Sequence, residues 1–501
     1  MSRNTILTDR QTDRQTDRHG IKYFLIVFLI NLLALSPLII FSHIHYSVDT
    51  YGLIENWANA EWHIGGFRYF SALITIIVSA LGHNPILNPI SDILFFIIIV
   101  ALSVSVLSIY ISNLVNKQRS FIVGLLVNIS LLITACNVWY SNLLTFSESI
   151  SLNAIGFLLC FLGVYLFAKR KSWLYLLIAS ISFICATATT QQFISIFIIY
   201  TILILCIKQV QNEKGRIRNL IIFYLKPFVF IIVNSAIYYL IGLILIKIFN
   251  VAPNPRASLT IRSIIENLIY FIKNQHSFLK GRGMFSSEIL TICYLMVFVI
   301  FIFSLIMFWR KSRQTAKTIF IGLSFVAAYI CAYLPGLVST SHGTRTICAL
   351  FSVFALFAIG AVALHHHRIT IAILACILFL VFALNIYKTV DMGVNQIVGN
   401  TKEATYADNI AYSIEKYEQK NKLSVTSIGI AYDKHGDIDS EALYVDYAIE
   451  PLFQMHIGKD IKYIEVPESV TKTYFAEKDW TSYDAEEQIV FDKNIAYICI
   501  Y

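Results

Sequence analysis

Residues 21–70 read IKYFLIVFLINLLALSPLIIFSHIHYSVDTYGLIENWANAEWHIGGFRYF, an apolar run ending near Ser42 followed by an aromatic stretch that carries Asp49, Glu55, Glu61 and Arg68. The run has the ~20 residues a helix needs to cross ~30 Å of hydrocarbon. No small-residue cleavage pattern interrupts it, because Pro37 follows the only candidate, so it reads as a retained span. Acids and rings gather directly behind this span, and further apolar runs follow almost without a break. The order of span, acidic loop and more spans makes the chain an all-α polytopic membrane protein.

Composition says the same. The 501 residues are 57% hydrophobic and only 14% charged, with a mean hydropathy of +0.67, which excludes an ordinary soluble domain. About eleven transmembrane helices are expected, at residues 21–42, 86–112, 121–138, 150–168, 173–189, 193–207, 220–249, 289–308, 318–338, 346–364 and 369–387. With the N-terminus inside, the inner loops hold Lys117 and Arg119; Lys169, Arg170 and Lys171; Lys208, Lys214, Arg216 and Arg218; Arg310, Lys311, Arg313 and Lys317; and Arg368. This alternation follows the positive-inside rule. Residues 67–81 are apolar too, but counting them as a crossing would move every later basic cluster outside, so they are expected to lie along the outer face. The outer loop 250–287 is basic, with Arg256, Arg262, Lys273, Lys280 and Arg282, and reads either as lipid-headgroup contact or as a phosphate site.

The nine cysteines give no disulfide or zinc pattern, and His365–His367 reads as an inner-loop cluster, so no metal or other cofactor is expected. Nothing suggests a nucleic-acid partner. Three domains are expected: a cytoplasmic tail at 1–20, the multispanning part at 21–390, and a small soluble α/β domain at 391–501. In the last, a helix near 403–419 precedes strands near 425–431, 463–466 and 495–500. An odd number of spans places this domain on the outer side, the periplasmic side in a bacterial inner membrane. Asp437 and Asp439 form a lone DxD read as a turn beside Gly436.

Between residues 21 and 390 only eight carboxylates occur, Asp49, Glu55, Glu61, Asp92, Glu148, Glu213, Glu266 and Glu288, and three of them share the first loop. Asp49 follows a span that can fix its depth, which suits a general base; the alternative is a helix cap. Tyr46, Tyr51, Trp57 and Trp62 offer flat aromatic faces for stacking on a ligand. Glu55 and Glu61 read as solvated charges. Glu148 stands alone at the outer end of a hairpin, where an isolated ionisable group marks function, with capping beside Ser147 and Ser149 as the alternative. Gln191 and Gln192 can hydrogen-bond the hydroxyls of a ligand or bridge helices. Arg68, Arg282 and Arg345 are the candidate phosphate clamp, since guanidinium groups bind phosphate bidentately.

The chain resembles the phage-type O-antigen glucosyltransferases, of the Gtr type II kind, relatives of the C-type (GT-C) membrane glycosyltransferases. The matching pieces are VDTYG, Asn56–Trp57 and FRYFSALI in the first outer loop, WYSNLLTFSES with Glu148, and TTQQF at residues 189–193. The resemblance implies transfer of a sugar, glucose, from a polyprenyl-phosphate carrier to a surface polysaccharide on the outer face of the inner membrane. It also implies a partner flippase and a separate donor-synthesising glycosyltransferase. A polysaccharide polymerase or ligase stays open, with loop 250–287 as the discriminating segment. So does a lipid-linked sugar flippase or transporter, although internal repeats and Gly/Pro-broken helices are not evident.

Residues 8–19 repeat TDRQ, TDRQ, TDRH. Three copies of ACAG encode Thr-Asp-Arg-Gln, so a tetranucleotide repeat in the gene accounts for the peptide. Slippage of such a repeat shifts the frame, and no methionine follows Met1 until Met284. Phase-variable expression is therefore expected.

Overall fold

The computed structural model describes residues 21–500 except 55, 116–119, 212–216, 255–259, 281–286, 340–346, 433–441, 459, 477, 479 and 481–483, and gives only the backbone of 138–139 and 217–223. The TDRQ repeat, Glu55, Arg282, Arg345 and the Asp437/Asp439 pair lie outside the described residues.

Runs of Ile, Leu, Val and Phe become helices because a backbone in hydrocarbon must satisfy its hydrogen bonds within its own segment. Among the described residues seven helices are long and apolar enough to cross a membrane: Ile21–Ser42, Pro89–Val115, Ser147–Lys169, Gln192–Gln211, Tyr224–Ile248, Glu288–Ser312 and Arg368–Asn421. The other four expected spans coincide with shorter apolar helices, Phe121–Ala135, Trp173–Thr189, Thr315–Cys331 and Leu350–Leu364. These have 15 or 17 residues, which at 1.5 Å per residue is about 22–26 Å, less than a full hydrocarbon thickness. One reason is local. Asn137 follows the first of them, and its side chain accepts the backbone N–H of Tyr140 at 3.0 Å, capping a new helix, Val138–Leu144.

Packing between helices uses close approach and buried polar pairs. Gly156 lies against the Phe193 ring and Thr189, where any Cβ would collide. Asn31 joins three helices: its amide donates to Ser105 Oγ at 2.8 Å, and Asn128 donates to Asn31 Oδ1 at 2.6 Å.

The two ends of the bundle differ. At one end cations meet helix C-termini, where unsatisfied carbonyls and the helix dipole favour positive charge. Lys208 donates to the Ala168 carbonyl at 2.6 Å, and Arg170 and Arg313 end their helices in left-handed backbone at φ 36° and 56°. The opposite end gathers the acidic loop. Asn254 N–H donates to Gly65 O at 3.0 Å, and Gln191 donates to Gly66 O at 2.6 Å. Residues 67–81 form the helix Tyr69–Ala80, tied to Trp173–Thr189 by a hydrogen bond from Ser71 Oγ to Thr189 O.

Within loop 250–287 lies the helix Ile261–Lys273. Ile261, Ile265, Leu268, Ile269 and Ile272 are exposed along one side of it, while Asn267 and Phe271 are buried. The Asn267 amide holds the helix down by donating to Leu337 O and Ser339 O.

The last helix, Arg368–Asn421, has 54 residues and passes the expected boundary at 390/391 without a break. Composition changes there within one continuous helix, from an apolar first half to a charged and polar second half. Beyond it a four-stranded sheet has the order β2-β1-β4-β3, with β1 Ser427–Tyr432, β2 Lys462–Tyr463, β3 Ile489–Asp492 and β4 Ile495–Ile500. Strand β1 runs parallel to β2 and β4, and β3 pairs antiparallel with β4. The sheet is mixed, and β3 is an addition to the strands read from sequence. Its core joins Ile428, Ile430 and Ile498 to Leu452 and Phe453 of the helix Asp446–Ile457 and to Ala407, Ile410 and Ile414 of the long helix. Tyr51 from the first loop enters the same core.

Candidate functional site

Asp49 sits in the short helix Val48–Tyr51. It does not cap that helix; Ser47 does, its hydroxyl accepting the Thr50 N–H at 3.2 Å. The half-buried Asp49 carboxylate instead accepts the Tyr447 hydroxyl at 2.8 Å. The next residue reaches the second candidate acid: Thr50 Oγ1 donates to Glu148 Oε2 at 3.1 Å. Glu148 is only 5% exposed, in the 3-10 turn Ser147–Ser149 that opens the span Ser147–Lys169. Its carboxylate is thus directed at the acidic loop. Thr50, next to Asp49 in the same short helix, links the two candidate acids.

The loop is fixed from both sides. His45 is buried, one ring nitrogen 2.7 Å from the His43 carbonyl and the other 3.1 Å from that of Leu144, and Ser147 Oγ donates to His45 O at 3.1 Å. Burial holds the His45 imidazole below its ordinary pKa. From the other side comes the long helix. Asn400 accepts Tyr46 N–H at 2.8 Å and donates to Tyr46 O at 2.9 Å, and Gln396 donates to the same oxygen at 2.6 Å. Glu403, 3% exposed, accepts the Tyr51 hydroxyl at 2.9 Å, the Asn400 amide at 2.9 Å and Ala442 N–H at 3.1 Å. Burial, and then the Glu403 charge, push the Tyr51 hydroxyl well above its ordinary value, so it stays a donor.

A second cluster surrounds Arg68, whose guanidinium lies 3.9 Å above the Trp62 ring. Arg68 N–H closes the turn by donating to His63 O at 2.8 Å. His63 is buried, and desolvation, then Arg68, lower its pKa to about 3, which keeps the ring neutral near pH 7. Gln191 belongs here, its amide also within 3.3 Å of the Tyr238 hydroxyl, so its bridging role is the one observed. Gln192 is 2% exposed, and neither atom of its amide meets a hydrogen-bond partner. Trp57 is half-buried in the turn between the two short helices of the loop, and Glu61 is exposed on the second, Ala60–Gly65. Among the described residues no three His, Cys, Asp or Glu side chains group to hold a metal.

Sequence reasoning missed Thr50, Glu403 and Tyr447. Glu403 had a signal: with Tyr406, Ala407, Ile410 and Ile414 it occupies the inward stripe of an amphipathic helix, where an acid needs partners. Thr50 and Tyr447 had none, because their partners lie 98 and 398 residues away.

A family model described as glucosyl transferase GtrII matches residues 38–364. No curated protein matches the chain. The matched segment holds Asp49, Arg68, Glu148, Gln191 and Gln192, and ends before Glu403 and Tyr447.

Proposed function

Because the chain belongs to the GtrII glucosyl transferase family through residues 38–364, and is therefore a glucosyltransferase with membrane helices, we propose that it moves glucose from a polyprenyl phosphate to a cell-surface polysaccharide at the outer face of a bacterial inner membrane. The observation that carries this reading is the hydrogen bond from Thr50, the residue after Asp49, to Glu148, which ties the two candidate acids to one short helix at one end of the bundle.

The chemistry asks little beyond positioning. An acceptor hydroxyl attacks the anomeric carbon while Asp49 takes its proton. The bond from that carbon to the phosphate oxygen breaks, and its electron pair leaves with the polyprenyl phosphate, inverting the centre. Glu148 acts through Thr50 as a positioning group for the turn that carries Asp49. Arg68, with Arg282 and Arg345, meets the departing phosphate. The donor comes from a separate synthase and reaches the outer leaflet through a partner flippase. The TDRQ repeat makes the activity phase-variable, so the number of ACAG units should differ among single colonies.

Asp49→Asn tests the assignment, since it keeps the size of the side chain and removes its basicity. General-base catalysis is worth ~100 to 10,000-fold, so membranes holding normal amounts of the variant should transfer almost no glucose to the polysaccharide. Transfer at the wild-type rate would take Asp49 out of the reaction.

A further inference from the structure

The C-terminal lobe carries its own cluster of exposed rings, and one residue beside it, Tyr447, meets Asp49. Tyr432 at the end of β1 stacks on Tyr444, centroids 4.8 Å apart and planes 17° from parallel. The Tyr432 hydroxyl donates to Leu443 O at 2.8 Å, which fixes the first ring. Asp446 stands among them and accepts the Tyr463 hydroxyl. Tyr447 follows directly, and its hydroxyl reaches Asp49, while its ring lies under Gly52, 3.6 Å from where a Cβ would stand. These rings are not core residues: Tyr432, Tyr444 and Tyr447 are 39%, 38% and 56% exposed.

Exposed flat rings beside a carboxylate suit a saccharide, which offers apolar C–H faces to rings and hydroxyls to acids. We infer that Tyr432, Tyr444 and Asp446 form a subsite for the acceptor polysaccharide, which Tyr447 joins to the reacting end at Asp49. The inference rests on the reading of Asp49 as base. Two observations select the acceptor over the donor. The rings sit on the lobe beyond the apolar bundle, where a water-soluble polymer arrives, whereas a lipid carrier keeps its phosphate at headgroup level. The rings are also continuous, through adjacent Asp446 and Tyr447, with the group that takes the acceptor's proton. The subsite lies outside the segment shared with the family, so acceptor choice can vary while the transfer chemistry stays the same.

The probe is surface polysaccharide purified from a strain deleted for the gene, hence lacking the modification, titrated against the full-length protein in nanodiscs. In an Asp49→Asn background, which binds without turnover, adding Tyr432→Ala and Tyr444→Ala should weaken binding about tenfold, and Tyr432→Phe with Tyr444→Trp should retain it. In the active enzyme the double alanine variant should raise KM for the polysaccharide by a similar factor and leave kcat at saturation nearly unchanged. Tyr444→Leu alone, at an exposed position, separates loss of a flat ring from misfolding and should also weaken binding. Equal affinity in the folded alanine and leucine variants overturns the subsite, whether lipid or another protein then occupies the face. Failure of the base reading would look different: Asp49→Asn would transfer normally while the tyrosine variants still lost affinity.

Discussion

His63 shows how a single residue ties the acidic loop to pH. It is 4% exposed, and burial reinforced by Arg68 holds its folded pKa at about 3, against ~6.5 in an unfolded chain. The unfolded state therefore binds the extra proton between these values, so stability is complete above about pH 6.5 and falls as the pH drops toward 3. From pH 7 to pH 5 the loss is about 2 kcal/mol. His63→Phe removes it, so the purified variant should lose less melting temperature over that range than the wild type. An equal drop in both would show that His63 takes its proton without unfolding. Asp49 and Glu148 could be picked as candidates at this scale because carboxylates are scarce in the apolar part of the chain, and scarcity is visible in one dimension. Tyr447 was not, since a surface tyrosine of a small domain looks like any other until the fold lays it on Asp49.

At the level of elements, the helix Ile261–Lys273 answers what the basic outer loop does. Its cations are partly paired, Arg262 with Glu266 at 2.9 Å and Lys280 with Glu288 at 2.6 Å, and exposed pairs of this kind contribute little to stability. The exposed stripe Ile261, Ile265, Leu268, Ile269 and Ile272 has the pattern of helices that lie in the membrane surface, a placement that labelling tests. Single cysteines placed at Ile265 and Ile269 in proteoliposomes should react several-fold more slowly with a membrane-impermeant maleimide than cysteines at Arg262 and Glu266. Equal rates would leave the stripe facing water. Apolar helices were the easiest elements to read, because hydrocarbon enforces both their length and their composition. Where they end was harder: a cap such as Asn137 cuts an apolar run that composition alone would extend. Strand β3, four residues long, was illegible because it owes its existence to pairing with β4.

Across the whole molecule, the acidic loop and the C-terminal lobe are bonded to each other through Tyr46, Tyr51, Asn400, Glu403 and Tyr447, so they share one side of the membrane. With basic clusters at the other end of the bundle, the positive-inside rule predicts that this side is the outer one. Alkaline phosphatase fused after Tyr501 should therefore be active, and a cytoplasm-dependent reporter at the same point silent; the reverse result would overturn both the orientation and the proposed site. The unbroken helix Arg368–Asn421 then acts as a measuring rod. Asn400, where it grips Tyr46, stands about 48 Å along the axis from Arg368 at 1.5 Å per residue. Each residue inserted between them would raise the lobe by about 1.5 Å and swivel it by about 100°, whereas seven would raise it by about 10 Å with nearly the same facing. The height of the lobe along the helix axis is thus written as a residue count, and insertion or deletion can change it only in whole steps of the helical screw.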